Sequence, residues 1–302
     1  MINLLFNILL FIIFLGIILY TFFYNKKHIW KLVLLTILSF VLINFLDWKY
    51  SSIAFILLIL PIFFYKRLSY SMLVSISMIG SLLGAFFVLN YYLNYDNNFM
   101  ILFGILSVVF ICVMAIYGIF HNNIIKFFIA SNLIQFAFVF LDLSVADLTG
   151  KISTLGVIQI FNYVIAGTLL FITIGILNEE NKFKYISQMQ GYYYRDPHIA
   201  IFACIAAISL AGLPGLNIFV SEWLLFKTSF GINPIITIWG IFAALLLFIM
   251  YFKIVYIMLS GRRVKREKAH FTLQLYNWML GLAAVIFGIL PFTQLYILGL
   301  FI

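Results

Sequence analysis

The chain has 302 residues, of which 66% are hydrophobic and only 9% charged, and it carries a formal net charge of +9. So few charges cannot cover a water-soluble fold, and the repeated, continuously apolar runs exclude a β-barrel, whose strands alternate. The basic residues fall in short loops at helix ends, as topology signals do, which argues against a nucleic-acid partner.

The pattern predicts an all-α, polytopic transmembrane helical bundle of about ten or eleven helices, forming a single membrane domain over residues 1–302. In chain order the helices are expected over 3–24, 29–46, 51–65, 68–93, 99–120, 124–142, 153–177, 197–213, 216–229, 233–260 and 272–300. The first run, Asn3 to Tyr24, is too long for a signal-peptide core, lacks a small-residue cleavage site and is followed by Lys26 and Lys27, so it reads as a retained membrane helix. Lys26, Lys27 and Lys31, then Lys66 and Arg67, then Lys126, then Lys182, Lys184 and Arg195 occupy alternate loops. The intervening loops, near Asp47, Asp96, Asp142 and Asp147, are acidic or poor in basic residues, which puts the amino terminus opposite the basic face. The basic stretch Arg262 to Lys268 joins that face only if 197–229 crosses the membrane once, and the sequence leaves this parity open.

Ionisable residues at membrane depth are the informative ones, because each costs several kcal/mol there and is kept for transport or pairing. Glu222 follows Gly212, Pro214 and Gly215, which should break the helix between two apolar flanks. Unpaired backbone at such a break is tolerated only inside protein or beside a watery cavity, so a carboxylate seven residues on is placed to hold a proton. The alternative is an interfacial glutamate at a helix end. Lys253, inside the run 233–260, either snorkels or pairs with a buried acid. Lys126 and His121 flank a helix start and read first as topology residues, second as proton carriers. Asp142, at the end of the 124–142 run, reads as solvated. Asn132, Gln135, Gln159, Asn162 and Thr168 are polar groups within helices, suited to interhelical hydrogen bonds. Cys112 and Cys204 lie in apolar runs and read as core residues; no metal site, cofactor or soluble substrate is expected, and no phosphate loop, catalytic triad or haem-ligand pattern is present.

Three stretches carry a resemblance. Asn123-Ile-Ile-Lys-Phe-Phe-Ile-Ala-Ser-Asn-Leu-Ile-Gln135 is similar to Asp-Ile-Lys-Arg-Leu-Leu-Ala-Tyr-Ser-Ser-Ile-Ser-Gln, and Phe161-Asn-Tyr-Val-Ile-Ala-Gly-Thr-Leu-Leu-Phe171 to Leu-Asn-His-Ala-Leu-Phe-Lys-Ala-Leu-Leu-Phe. The most specific, Ser209-Leu-Ala-Gly-Leu-Pro-Gly-Leu-Asn-Ile-Phe-Val-Ser-Glu-Trp-Leu-Leu-Phe226, is similar to Ser-Leu-Ala-Gly-Leu-Pro-Pro-Leu-Ser-Gly-Phe-Ile-Gly-Lys/Glu-Phe-Leu-Leu-Phe. These motifs belong to the antiporter-like subunits of respiratory complex I, the related hydrogenases and the Mrp cation/proton antiporters. Tyr251-Phe-Lys-Ile-Val-Tyr256 resembles the Tyr-Tyr-Leu-Arg that closes the corresponding helix in one branch of the family.

The resemblance covers roughly 105–260, with 1–100 divergent and 261–302 a basic loop and last helix. It implies a proton-transferring group at Glu222, a polar axis along the membrane plane, and neighbouring membrane subunits and lipids as partners. Electron transfer and quinone chemistry would belong to those other subunits. The family's central lysine and histidine fall on Gly167 and Tyr163, and its first Lys-bearing half has no counterpart, which implies a partial path. The abundance of Phe (35) and Tyr (18), with Ile, Asn and Lys, suggests an AT-rich genome, hence a mitochondrial inner membrane or a prokaryotic plasma membrane.

Overall fold

The computed structural model describes residues 2–24, 29–45, 70–91, 98–148, 154–181, 183–261 and 271–299. The helix expected over 51–65 lies outside these residues, as do Lys26, Lys27, Lys66, Arg67 and the Arg262–Lys268 stretch. The described residues form eleven α-helices: α1 (Ile2–Tyr24), α2 (Ile29–Phe45), α3 (Tyr70–Tyr91), α4 (Asn98–Phe120), α5 (Ile124–Leu148), α6 (Thr154–Asn181), α7 (Pro197–Leu210), α8 (Asn217–Ile232), α9 (Pro234–Leu259), α10 (Phe271–Ile289) and α11 (Pro291–Gly299). An all-helical solution follows from the solvent, since each apolar run satisfies its own backbone without water.

Three helix starts use the same local chemistry. The Asn123 side chain accepts from the N–H groups of Ile125 and Lys126, Asp196 from His198 and Ile199, and Asn233 from Ile235 and Ile236. In the last two a proline follows at the first helical position, where its missing N–H costs nothing.

Among the described residues four helices contain stretches long and apolar enough to cross a membrane, Leu102–Phe120, Ile124–Asp142, Leu155–Leu177 and Pro234–Leu259, and the bent pair Gln274–Ile289 and Pro291–Gly299 makes a fifth if it is one span. α6 is the hub. Residues 156–177 are buried without exception, and α1, α3, α5, α7, α8 and α10 all pack on it. By contrast α4 and α9 turn one face outward, with Leu106, Val109, Val113, Ile238, Phe242 and Leu245 exposed in the manner of lipid- or subunit-facing surface.

α7 and α8 have 14 and 16 residues, about 21 and 24 Å of helix, too short for a core of about 30 Å. Both halves pack on α6, α9 and α10 and only slightly on each other, so they form one crossing broken at residues 211–216. This answers the parity question. The loop after α6 is tied to the α4–α5 turn by Ile124 N–H to the Lys184 carbonyl (3.1 Å) and Ile186 N–H to the Asn122 carbonyl (2.7 Å). The same loop meets the end of α9 through Gly191 N–H to the Ile257 carbonyl (3.1 Å), so Lys126, Lys184, Arg195 and the carboxyl end of α9 share one face.

Two expected boundaries move. α5 runs to Leu148, six residues past the expected end, because Asp142 does not leave the bundle. The single helix expected over 272–300 is two helices bent by 99°, because Pro291 has no N–H to continue α10 and its ring excludes the preceding carbonyl.

Candidate functional site

The break between α7 and α8 is built by glycine chemistry. Gly212 has φ +72°, its N–H bonds the Ser209 carbonyl (3.0 Å), and Leu213 N–H reaches back to the Ile208 carbonyl (3.2 Å). This is a Schellman cap, which satisfies the last carbonyls of α7 and demands a left-handed residue at Gly212. Gly215 repeats the requirement with φ +92°, while Pro214 between them is exposed. Across the gap, Ser209 Oγ donates to Asn217 Oδ1 (2.5 Å), and Asn217 Nδ2 donates to the Asn162 carbonyl of α6 (2.9 Å). The three predicted helix-breaking residues therefore form one loop, exposed at 213–215 and pinned to the bundle at both ends by Ser209 and Asn217.

Glu222 lies in the second turn of α8, and helical side chains lean toward their amino terminus, so its carboxyl folds back onto the break. A Cβ on Gly212 would overlap Glu222 Oε2. Glu222 is 4% exposed and its Oε1 has no hydrogen-bond partner. The interfacial alternative is thereby removed: the side chain is inside the protein.

Asp142 corrects the sequence reading. It is 1% exposed, not solvated, and neither of its carboxyl oxygens has a hydrogen-bond partner. It stands on α5 opposite α8, within electrostatic reach of Glu222. A carboxylate at the end of an apolar run looks interfacial in sequence, but α3, α4, α6 and α8 all pack on α5 and the side chain is buried.

From this pair a row of polar groups runs across the bundle. Tyr251 of α9 is in electrostatic reach of Glu222, and its hydroxyl and that of Ser131 are 2.6 Å apart. On α5 and α6, Gln159 donates to Gln135 (2.8 Å). Tyr163 donates to Asn132, which in turn donates to Ser77 of α3 (2.5 Å), with Ser81 beside the phenol. Asn162 completes the α6 side, its amide reaching Ser221 Oγ at 3.4 Å. Thr168 is also fully buried, its hydroxyl without a partner. The Tyr163 ring lies over Gly167, one turn along α6, and a Cβ there would meet it. The two positions where the family carries histidine and lysine are thus occupied by a phenol and the space its ring fills.

The two lysines lie elsewhere. Lys253 Nζ donates to the carbonyls of Ile119 and His121, both at 3.0 Å, and so caps the carboxyl end of α4 instead of pairing with a buried acid. Lys126 is half-buried in the first turn of α5 on the basic face. His121 stacks on Tyr117 with ring centres 3.8 Å apart. Among the described residues no group of three or more metal-ligating side chains comes together.

A helical membrane bundle with a crossing broken at residues 211–216 and a buried carboxyl beside that break is the class this geometry defines. The chain belongs to the NADH:quinone oxidoreductase/Mrp antiporter transmembrane family, which it matches over residues 2–250. It is 24% identical over 136 residues to NADH-quinone oxidoreductase subunit N of Hirschia baltica, covering 45% of this chain and 28% of that one. Its fold is similar to a chain of the Mrp complex from Dietzia sp. (TM-score 0.66, 14% identity, 98% of this chain and 65% of the other). It is also similar to a chain of an archaeal membrane-bound sulfane sulfur reductase (TM-score 0.64, 21% identity, 74% and 40%). A chain of respiratory complex I from Thermus thermophilus matches at TM-score 0.64 and 16% identity, over 81% and 54%. In each case the match spans less than two thirds of the relative's length.

Proposed function

We propose that this chain is a membrane-arm subunit of a proton-pumping NADH:ubiquinone oxidoreductase, a divergent subunit 2 encoded in a mitochondrion, with Glu222 as the proton-holding group of a partial translocation path. The rest of the chain bridges neighbouring membrane subunits. The observation that carries the reading is the Glu222 carboxyl, buried and folded onto the Gly212 break at one end of a row of polar side chains. A charge left bare in such a place would cost far more than a proton does, so the group is suited to take up and release one. The curated relative, a subunit of an NADH-quinone oxidoreductase, favours an electron-transfer complex as its setting. The AT-driven composition favours an organelle gene. Lys253 and Lys126 then act as a helix cap and a basic-face residue, outside the path.

A second reading is supported by the Mrp chain, whose fold covers 98% of this one: an Mrp-type or hydrogenase membrane subunit in a prokaryotic plasma membrane. Purification of the intact complex separates the two, since a flavin-bearing, NADH-oxidising subunit accompanies the chain only in the first. The proton path is tested by Glu222→Gln in the assembled complex, reading protons moved per electron. A fall with electron transfer retained supports it; an unchanged ratio makes the chain a structural bridge.

A further inference from the structure

The loop between α7 and α8 is open on one side. Leu213, Pro214 and Gly215 are exposed, and the Pro214 carbonyl and both backbone groups of Gly215 make no hydrogen bond among the described residues. Two rulers place this loop at depth. α7 starts on the basic face, and its 14 residues carry the chain about 21 Å inward. Asn162, whose carbonyl accepts from Asn217 just after the loop, lies on the apolar span Leu155–Leu177 of α6. By helix rise it stands about 22 Å from the Leu177 end and about 11 Å from the Leu155 end. Both measures put the loop inside a hydrocarbon core of about 30 Å.

Lipid tails offer neither donor nor acceptor, so irregular backbone at that depth is stable only against protein or water. Water needs polar walls, and the surroundings here are apolar. Leu213 is itself exposed, Trp223 stacks on Phe219 along the outer side of α8, and Ile289 and Leu290 are exposed beside Gly288, which meets Gly215. The opening also admits close approach. Nothing stands within 4 Å of where a Cβ on Gly215 would lie, and small residues are where membrane helices come together backbone to backbone.

We propose that the 213–215 loop is the docking surface for a transmembrane helix of a neighbouring subunit. That helix lays apolar side chains on the rim and brings a hydroxyl or carboxamide side chain to the centre, able to donate to the Pro214 carbonyl and to accept from Gly215 N–H. Gly212, on which the Glu222 carboxyl folds, belongs to the same turn, so the neighbour closes the outer side of the loop that holds the acid. The inference rests on the reading of this chain as one subunit of a membrane complex and not on proton transfer by Glu222.

Photo-crosslinking through a diazirine analogue of leucine tests it in native membranes, where the analogue replaces leucine without any variant that must fold. After irradiation the intact complex is purified and the adducts at Leu213 are mapped by mass spectrometry, with the exposed Leu106 of α4 and Leu245 of α9 as comparison positions. The expected product joins Leu213 to an apolar segment of another subunit, with Ser, Thr, Asn or Gln within one helical turn of the linked residue. A linked segment lacking such a residue overturns the recognition chemistry. A lipid adduct at Leu213, addition of water there, or a link to residues 51–65 of this same chain overturns the docking surface. Subunit links from Leu106 or Leu245 together with a lipid adduct at Leu213 keep the chain in a complex and move its neighbour to another face. Purification of the chain without any companion polypeptide removes the subunit reading itself.

Discussion

The chain interrupts a membrane helix twice with different chemistry. At residues 211–216 two left-handed glycines turn the chain, the Ile208 and Ser209 carbonyls are capped, and a carboxyl folds into the space a side chain would take. At Leu290 a single proline ends α10 and α11 leaves at 99°, with Ile289, Leu290 and Phe292 all exposed. The breaks touch: a Cβ on Gly288, near the end of α10, would overlap the backbone of Gly215 and Leu216. A break whose two helix ends are buried has to close their hydrogen bonds and therefore needs glycine geometry, whereas a break with exposed ends needs only the missing N–H. The first makes room for chemistry and the second only redirects the chain.

The largest effect is expected from Gly212→Ala. It forces an alanine into the left-handed region, about 1–2 kcal/mol, and adds a methyl where the Glu222 carboxyl lies, about 1–3 kcal/mol more. Thermal stability of the assembled complex should fall, and pumping should fall with it because Glu222 is displaced. Gly288→Ala comes next, at about 2–3 kcal/mol, because the added carbon meets backbone that cannot rotate away. A complex that assembles normally with Gly288→Ala would show that the two breaks do not bear on each other.

Gly215→Ala sharpens the contrast within the buried break. Its φ of +92° is unfavourable for alanine, yet open space surrounds its Cβ direction, so only the backbone strain of about 1–2 kcal/mol remains. Stability should fall modestly and pumping should be retained, in contrast to Gly212→Ala. Equal loss of pumping in both would mean that the loop as a whole, not the Gly212–Glu222 contact, governs the proton site.

The buried break was legible in the sequence because glycine and proline act locally: Gly212, Pro214 and Gly215 announce their backbone geometry without knowledge of the fold. The burial of Glu222 was one of two readings that the apolar flanks allowed, the other being an interfacial glutamate. Asp142 was read wrongly because its burial depends on the helices packed on α5, which the residues around it do not announce. Lys253 shows the same limit, since its partners are carbonyls of Ile119 and His121, atoms that every residue possesses and no sequence pattern marks. Tyr163 and Gly167 looked like simple losses, yet the phenol fills the gap and puts a hydroxyl on Asn132. The second break was missed although its signal, Pro291, was present; a lone proline among apolar residues was passed over in a run otherwise long enough to span.

Pro291→Ala should have the smallest effect, and it asks whether the proline alone makes the bend. The substitution restores an N–H, but Gln294 and Leu298 of α11 are 0% and 1% exposed, so packing continues to hold that helix down. Stability should change by less than about 1 kcal/mol, the scale of a proline substitution at a compatible site. Spin labels at the exposed positions Met279 and Tyr296, introduced as M279C and Y296C, report the angle in the assembled complex. From helix rise alone their backbones stand about 19 Å apart for a right-angle bend and about 26 Å apart for a straight helix. A distance that stays near the shorter value assigns the bend to packing, and leaves the proline the narrower task of stopping α10 where Gly288 meets the buried break. A shift to the longer value would make this break purely local, and would widen its difference from the glycine break, which no single substitution could straighten without also exposing the carbonyls its cap satisfies.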